Sequence, residues 1–131
     1  MDEEKTENRS FGDGFFGDVE FTNYLGPGNI VEGKVSFVGK TLISGSSVMG
    51  DITGHGRESE IYVAPNTKIE GGIRGERVVF GGSMNGKIDS ANLSIIKEAI
   101  VAGEITTNRG LSVEQGARIS AHIRMKKKRK S

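Results

Sequence analysis

Few residues in this sequence could carry chemistry, and they do not converge in the way catalysis requires. It has two histidines, His55 and His122, and no cysteine, so thiolate catalysis, a disulfide framework and Cys-based metal sites are excluded together. His55 sits in the glycine-rich stretch Gly54-His55-Gly56-Arg57-Glu58-Ser59. His122 takes a position that Glu104, Lys87 and Asp51 fill in equivalent stretches upstream. Both read as surface residues. Gly39-Lys40-Thr41 resembles the end of a phosphate-binding loop, but the upstream glycine and the strand-to-helix setting of a nucleotide cradle are missing. The acidic residues are spread over outward positions, as on a solvated face. We assign no catalytic, cofactor-binding or metal-ligating residue.

Charge and aromatic content point instead to the two ends of the chain. The net charge is +1, yet removing Lys126, Lys127, Lys128, Arg129 and Lys130 leaves 13 basic against 17 acidic residues. Such a tail serves as a solubilising extension. It is equally suited to the phosphates of DNA or RNA, with steep salt dependence, or to anionic lipid, at about 1 kcal/mol per basic residue near the surface. It has no interleaved aromatic residue on which single-stranded bases could stack. Near the other end, Phe11, Phe15, Phe16 and Phe21 are four of the six phenylalanines. They read either as a cap over an exposed strand edge or as a segment that docks on a membrane or partner. No apolar run is long enough to span a bilayer, and the acidic start Met1-Asp2-Glu3-Glu4 does not resemble a secretory signal. A cytoplasmic protein is expected, with membrane association left open through these two segments.

The elements between the ends follow from a repeat. A branched apolar residue or Met, then any residue, then Gly or Ala, then any residue, then Ile or Val, recurs six times: Val31–Val35, Val48–Ile52, Ile69–Ile73, Met84–Ile88, Val101–Ile105 and Ile119–Ile123. The central residues are 33, 50, 71, 86, 103 and 121, so the spacings are 17, 21, 15, 17 and 18. Repeats of this length signify stacked units. Within each unit every second side chain is apolar, the period of a strand with one buried face, and no long run has the helical period. The pattern predicts an all-β, single-stranded β-helix, a solenoid of about six coils. The small central residue is expected to leave room between two inward branched side chains in a narrow core, and glycine also to permit the backbone bends between faces of a coil. The spacing of 21 is expected to hold an excursion at residues 54–59, and Gly81-Gly82 the tightest corner.

This divides the chain into an acidic tail at 1–10, expected to be disordered, a Phe-rich cap or docking segment at 11–28, a β-helix at 29–125 and a basic tail at 126–131. Tyr24-Leu25-Gly26-Pro27-Gly28 reads as a turn. The final coil has no aromatic or proline stop, so Leu111, Val113, Ala117, Ile119, Ile123 and Met125 are expected at an open, self-associating end. Two such ends meeting would bring two basic tails together, so added salt should favour that contact.

Phe37-Val38-Gly39-Lys40-Thr41-Leu42-Ile43-Ser44-Gly45, Ile69–Ile73, and Val101–Thr107 through Leu111–Ala117 to Met125 resemble the bactofilins, a bacterial polymer-forming cytoskeletal family. The resemblance implies a right-handed, three-sided β-helix between unstructured tails that polymerises end to end without nucleotide. It implies a non-catalytic scaffold in cytoplasmic filaments, with itself as first partner and recruited proteins unidentified. Two departures bear on function. A Phe-rich cap would block one end and limit assembly to dimers, and the short basic tail is no proline-rich partner-binding segment. The alternatives are a capped adaptor held to an anionic membrane or DNA by its tail, and a left-handed β-helix acyltransferase. For the latter, Leu93, Ala99, Ile105, Leu111, Ala117 and Ile123 fall six apart, but the spacings upstream break that register.

Overall fold

The computed structural model describes residues 20–125, and among them every regular element is a strand. These are β1 (Asn23–Leu25), β2 (Ile30–Ile43), β3 (Ser47–Val63), β4 (Lys68–Phe80), β5 (Ser83–Ile95), β6 (Ile100–Val113) and β7 (Arg118–Met125). Each pairs in parallel with the next, in chain order. Parallel neighbours joined by connections of two to four residues cannot be laid out as a flat sheet. The chain therefore winds as a β-solenoid of about six turns.

The repeated motif sets the register. Gly33, Gly50, Gly71, Gly86, Gly103 and Ala121 lie side by side down the stack. The branched residues on either side form two buried columns, with Val48, Ile69, Met84 and Val101 in one and Ile52, Ile73, Ile88 and Ile105 in the other. Later in each coil Ile61, Val78 and Leu93 form a third column, and Val63, Phe80 and Ile95 a fourth. The four columns make one continuous core, as the period-two pattern predicts.

Unequal coil lengths are absorbed locally. Thr53 pairs with Arg74 and Glu60 with Arg77, so 54–59 is an excursion inside β3 that leaves register intact on both sides. Gly81 and Gly82 alone join β4 to β5, whereas 64–67, 96–99 and 114–117 make the longer corners. The corners stack as well: the Ser83 N–H donates to Thr67 O at 2.9 Å and the Arg118 N–H to Ala99 O at 2.8 Å. Thr67 is 2% exposed; its Oγ1 donates to Ile43 O and accepts from the Gly45 N–H.

Two details differ from the sequence reading. Tyr24 and Leu25 belong to β1, and the turn begins at Gly26. The motif glycines are required by the backbone rather than by the width of the core. Gly50, Gly71, Gly86 and Gly103 have φ of 146°, 140°, 150° and 124°. A Cβ on any of them would run into the carbonyl oxygen of the glycine in the preceding coil.

Candidate polymer interface

The last described strand, β7, keeps the pattern of the coils before it. Ile123 continues the column of Ile52, Ile73, Ile88 and Ile105. Ile105 is 0% exposed and Ile123 42%. The residue type and slot are the same; the difference is that, among the described residues, no strand pairs with β7 on its far side. Met125 is 55% exposed and its Sδ accepts a hydrogen bond from Thr107 Oγ1. Val113 is exposed, while Leu111, Ala117 and Ile119 pack on the core from one side. The structure thus brings all six residues expected at an open end into the last coil. β7 also has one free edge among the described strands, a row of N–H and C=O groups that can pair with another strand.

The N-terminal end is stepped. β1 covers β2 only over Thr41–Ile43, and the earlier part of β2 has no partner strand on that side among the described residues. Val31, Val35 and Phe37 are half-buried there. Ile30 and Val38, on the same edge, are 72% and 70% exposed. The sequence reading did not single these two out. The signal was present: in the slot of Ile30 the next three coils carry Ser47, Lys68 and Ser83, and His55 follows Val38.

A model of the family described as "Bactofilin: Polymer-forming cytoskeletal" matches residues 23–124, which takes in every strand from β1 to β7. The chain belongs to the bactofilin family. No curated protein and no solved structure matches it. Membership of a polymer-forming cytoskeletal family makes this chain a structural scaffold component that associates with itself.

The residues that could have carried chemistry are dispersed over the bactofilin surface. His122 lies in register with Glu104 in the outward column that also holds Lys34, Asp51, Gly72 and Lys87, and His55 is exposed in the β3 excursion. Lys40 and Thr41 are in β2, with Thr41 buried against Asn23, whose Nδ2 donates to its Oγ1 at 3.1 Å; among the described residues no helix stands beside them. Ion pairs cross between neighbouring coils, Arg74 to Asp89 at 3.6 Å and Lys87 to Glu104 at 4.0 Å. At such exposure each contributes well under about 1 kcal/mol. Among the described residues no group of acidic or histidine side chains could hold a metal ion, and no helix is long and apolar enough to cross a membrane. Phe11, Phe15, Phe16 and Lys126, Lys127, Lys128, Arg129 and Lys130 lie outside the described residues.

Phe21 is described, and its ring meets that of Tyr62 edge-on, with centroids 5.1 Å apart. The Tyr62 hydroxyl donates to Glu60 Oε1 at 2.9 Å. Burial, then this hydrogen bond and the Glu60 charge, push its pKa up from 10.0 to about 12. Because the folded-state pKa is raised, the stability linked to Tyr62 is fully present below pH 10 and is lost as pH rises toward 12. Titrating the tyrosinate absorbance of the folded protein should show a step near 12 that moves down in Glu60→Ala; an unmoved step would sever the link to Glu60.

Proposed function

We propose that this chain is a non-catalytic subunit that assembles end to end, without nucleotide, into cytoplasmic filaments, with burial of the coil ends as its driving force. The observation that carries this reading is the bare continuation of the core at the last coil. Ile123 and Met125 occupy slots that would be closed by one more coil. A second subunit stacked there would pair the β7 edge and bury those side chains in one step. Neither process needs a bound nucleotide, and Lys40-Thr41 lies within a strand of the coil. The coil lengths also speak against an acyltransferase, since extra residues in β3 and β6 shift the register of the β2–β3, β3–β4 and β5–β6 pairings where a six-residue repeat would be continuous.

High-speed pelleting of the purified chain tests this. The same large fraction should sediment with no nucleotide, with ATP and with GTP. Sedimentation only with a nucleotide would contradict the mechanism, and none under any condition would contradict self-assembly.

The basic tail gives the filament an attachment point. Deleting Lys126–Lys130 should leave the thermal melt unchanged and remove binding to anionic vesicles and to DNA at low salt, because the remaining chain has more acidic than basic residues. Undiminished flotation with vesicles and an unchanged DNA mobility shift would clear the tail of that role.

A further inference from the structure

We propose that residues 15–19 form a further coil on the free edge of β2, so that the Phe-rich segment carries a seventh copy of the repeat rather than a cap of unrelated structure. Phe15, Gly17 and Val19 then lie on Val31, Gly33 and Val35. The inference stands apart from the end-to-end reading. Residues 15–19 lie outside the described residues; the edge they would meet is described, and three of its features fit them.

The first is direction. Asn23 pairs in parallel with Thr41, and the Thr22 N–H donates to Lys40 O at 2.8 Å, so the residues before β1 run back along β2 toward Ile30. On that path the sequence reads Phe15-Phe16-Gly17-Asp18-Val19: apolar, any, Gly, any, Val, with Phe in place of the branched residue. Gly17 precedes Gly33 by 16, inside the range of 15 to 21 that separates the other motif centres. Gly12-Asp13-Gly14 comes before it as a turn sequence, just as Gly26-Pro27-Gly28 comes before Ile30 and Val31. Glu20 and Phe21 are left for the corner, and the Phe21 ring does lie on the outer flank, against Tyr62.

The second is the space beside Gly33. Its φ is 105°, and among the described residues nothing lies within 4 Å of where its Cβ would be. At Gly50, Gly71, Gly86 and Gly103 that space holds the carbonyl oxygen of the glycine one coil earlier. Gly17 in register with Gly33 would place its own carbonyl there. Val31 and Val35 are half-buried, where Val48 and Ile52 of the next coil are each 1% exposed. Phe15 and Val19 are the side chains that would complete their burial.

The third is charge. Lys34 is exposed on this edge and pairs with Asp51, in the outward column where Lys87 and Glu104 form an ion pair at 4.0 Å. Asp18 would stand on the other side of Lys34 and continue that alternation. A strand edge covered in this way is closed to other strands, so residues 15–19 govern access to that end of the coil.

Cross-linking tests the register, since the chain has no native cysteine. In the full-length chain, with copper phenanthroline as oxidant, Asp18→Cys with Lys34→Cys should close a disulfide within one chain, because directly paired residues of adjacent strands lie about 4.8 Å apart. Asp18→Cys with Glu32→Cys, one step off register on the same face at ~8 Å, should not. On non-reducing gels, bridged monomer for the first pair alone is the expected result. Bridging at dimer mass would mean that another copy supplies the strand. Equal bridging of both pairs, or of neither, would mean that the segment does not hold this register. Each of these overturns the proposal. Thermal melts give a second reading. Phe15→Ser, on the inward side, should lower the melting temperature by at least about 4 °C, and Phe16→Ser, on the outward side, by less than half as much. Equal shifts or the reverse order would also overturn it, because a cap without strand register has no reason to separate these neighbours.

Discussion

Replacing Gly86 with Ala is expected to destabilise the coil by at least about 3 kcal/mol, enough to lower its melting temperature by more than about 10 °C. Two penalties act on the same atom. Gly86 has φ of 150°, which L-residues rarely adopt, and the added Cβ would be driven into the carbonyl oxygen of Gly71. That oxygen is part of the β4–β5 ladder, where Gly71 and Gly86 are directly paired, so it can retreat only if the two coils separate. Gly110→Ala is the matched control. A Cβ there would meet only Asn92 Oδ1, at an ordinary 3.7 Å, and the expected change is under about 1 kcal/mol. Thermal melts followed by circular dichroism compare the two directly. Equal melts would show that the glycine column is not the backbone constraint we describe.

Ile123→Lys is expected to abolish long assemblies while leaving the fold in place. The side chain is 42% exposed in the isolated subunit, so a lysine can extend its ammonium into water at little cost to the monomer. In a stacked end the same charge would be buried without a partner, and unpaired buried charge costs several kcal/mol. Ile105→Lys, one coil inward and fully buried, should instead unfold the subunit. The contrast separates an interface residue from a core residue of the same type and column. Pelleting together with a circular dichroism melt checks both; filaments that survive Ile123→Lys would move the contact elsewhere.

The column of Ile52, Ile73, Ile88, Ile105 and Ile123 was legible in the sequence because strand alternation and coil repeat reinforce one another at every fifth-position residue. The same reasoning located the excursion at 54–59 and the short corner at Gly81-Gly82, since an unequal spacing must be absorbed where no core residue falls. The reason for the glycines was only partly legible. A small residue between branched ones suits both a narrow core and a forbidden backbone angle, and only the register of Gly71 beneath Gly86 separates the two. Ala121, which ends the column outside the left-handed region, shows that the requirement lapses at the last coil.

The candidate site was half legible. The open C-terminal end followed from a repeat that stops without a terminator. Ile30 and Val38 were missed because, read in sequence alone, they merge into the apolar run around Val31 and Phe37. Their outward direction emerges once Ser47 and His55 are seen beside them. The meeting of Phe21 with Tyr62 joins residues that share no repeat position, so no periodic signal announces it. Ion pairs such as Arg74 with Asp89 become readable only after the register is known.

The central claim is that the rods stack along their own axes, so that one ladder of strands continues from subunit to subunit. Electron diffraction or cryo-electron microscopy of nucleotide-free filaments tests it most directly. Strands perpendicular to the filament axis predict a reflection near ~4.8 Å along that axis. The same spacing appearing across the axis would mean that rods associate side by side, and discrete particles without filaments would contradict end-to-end assembly outright.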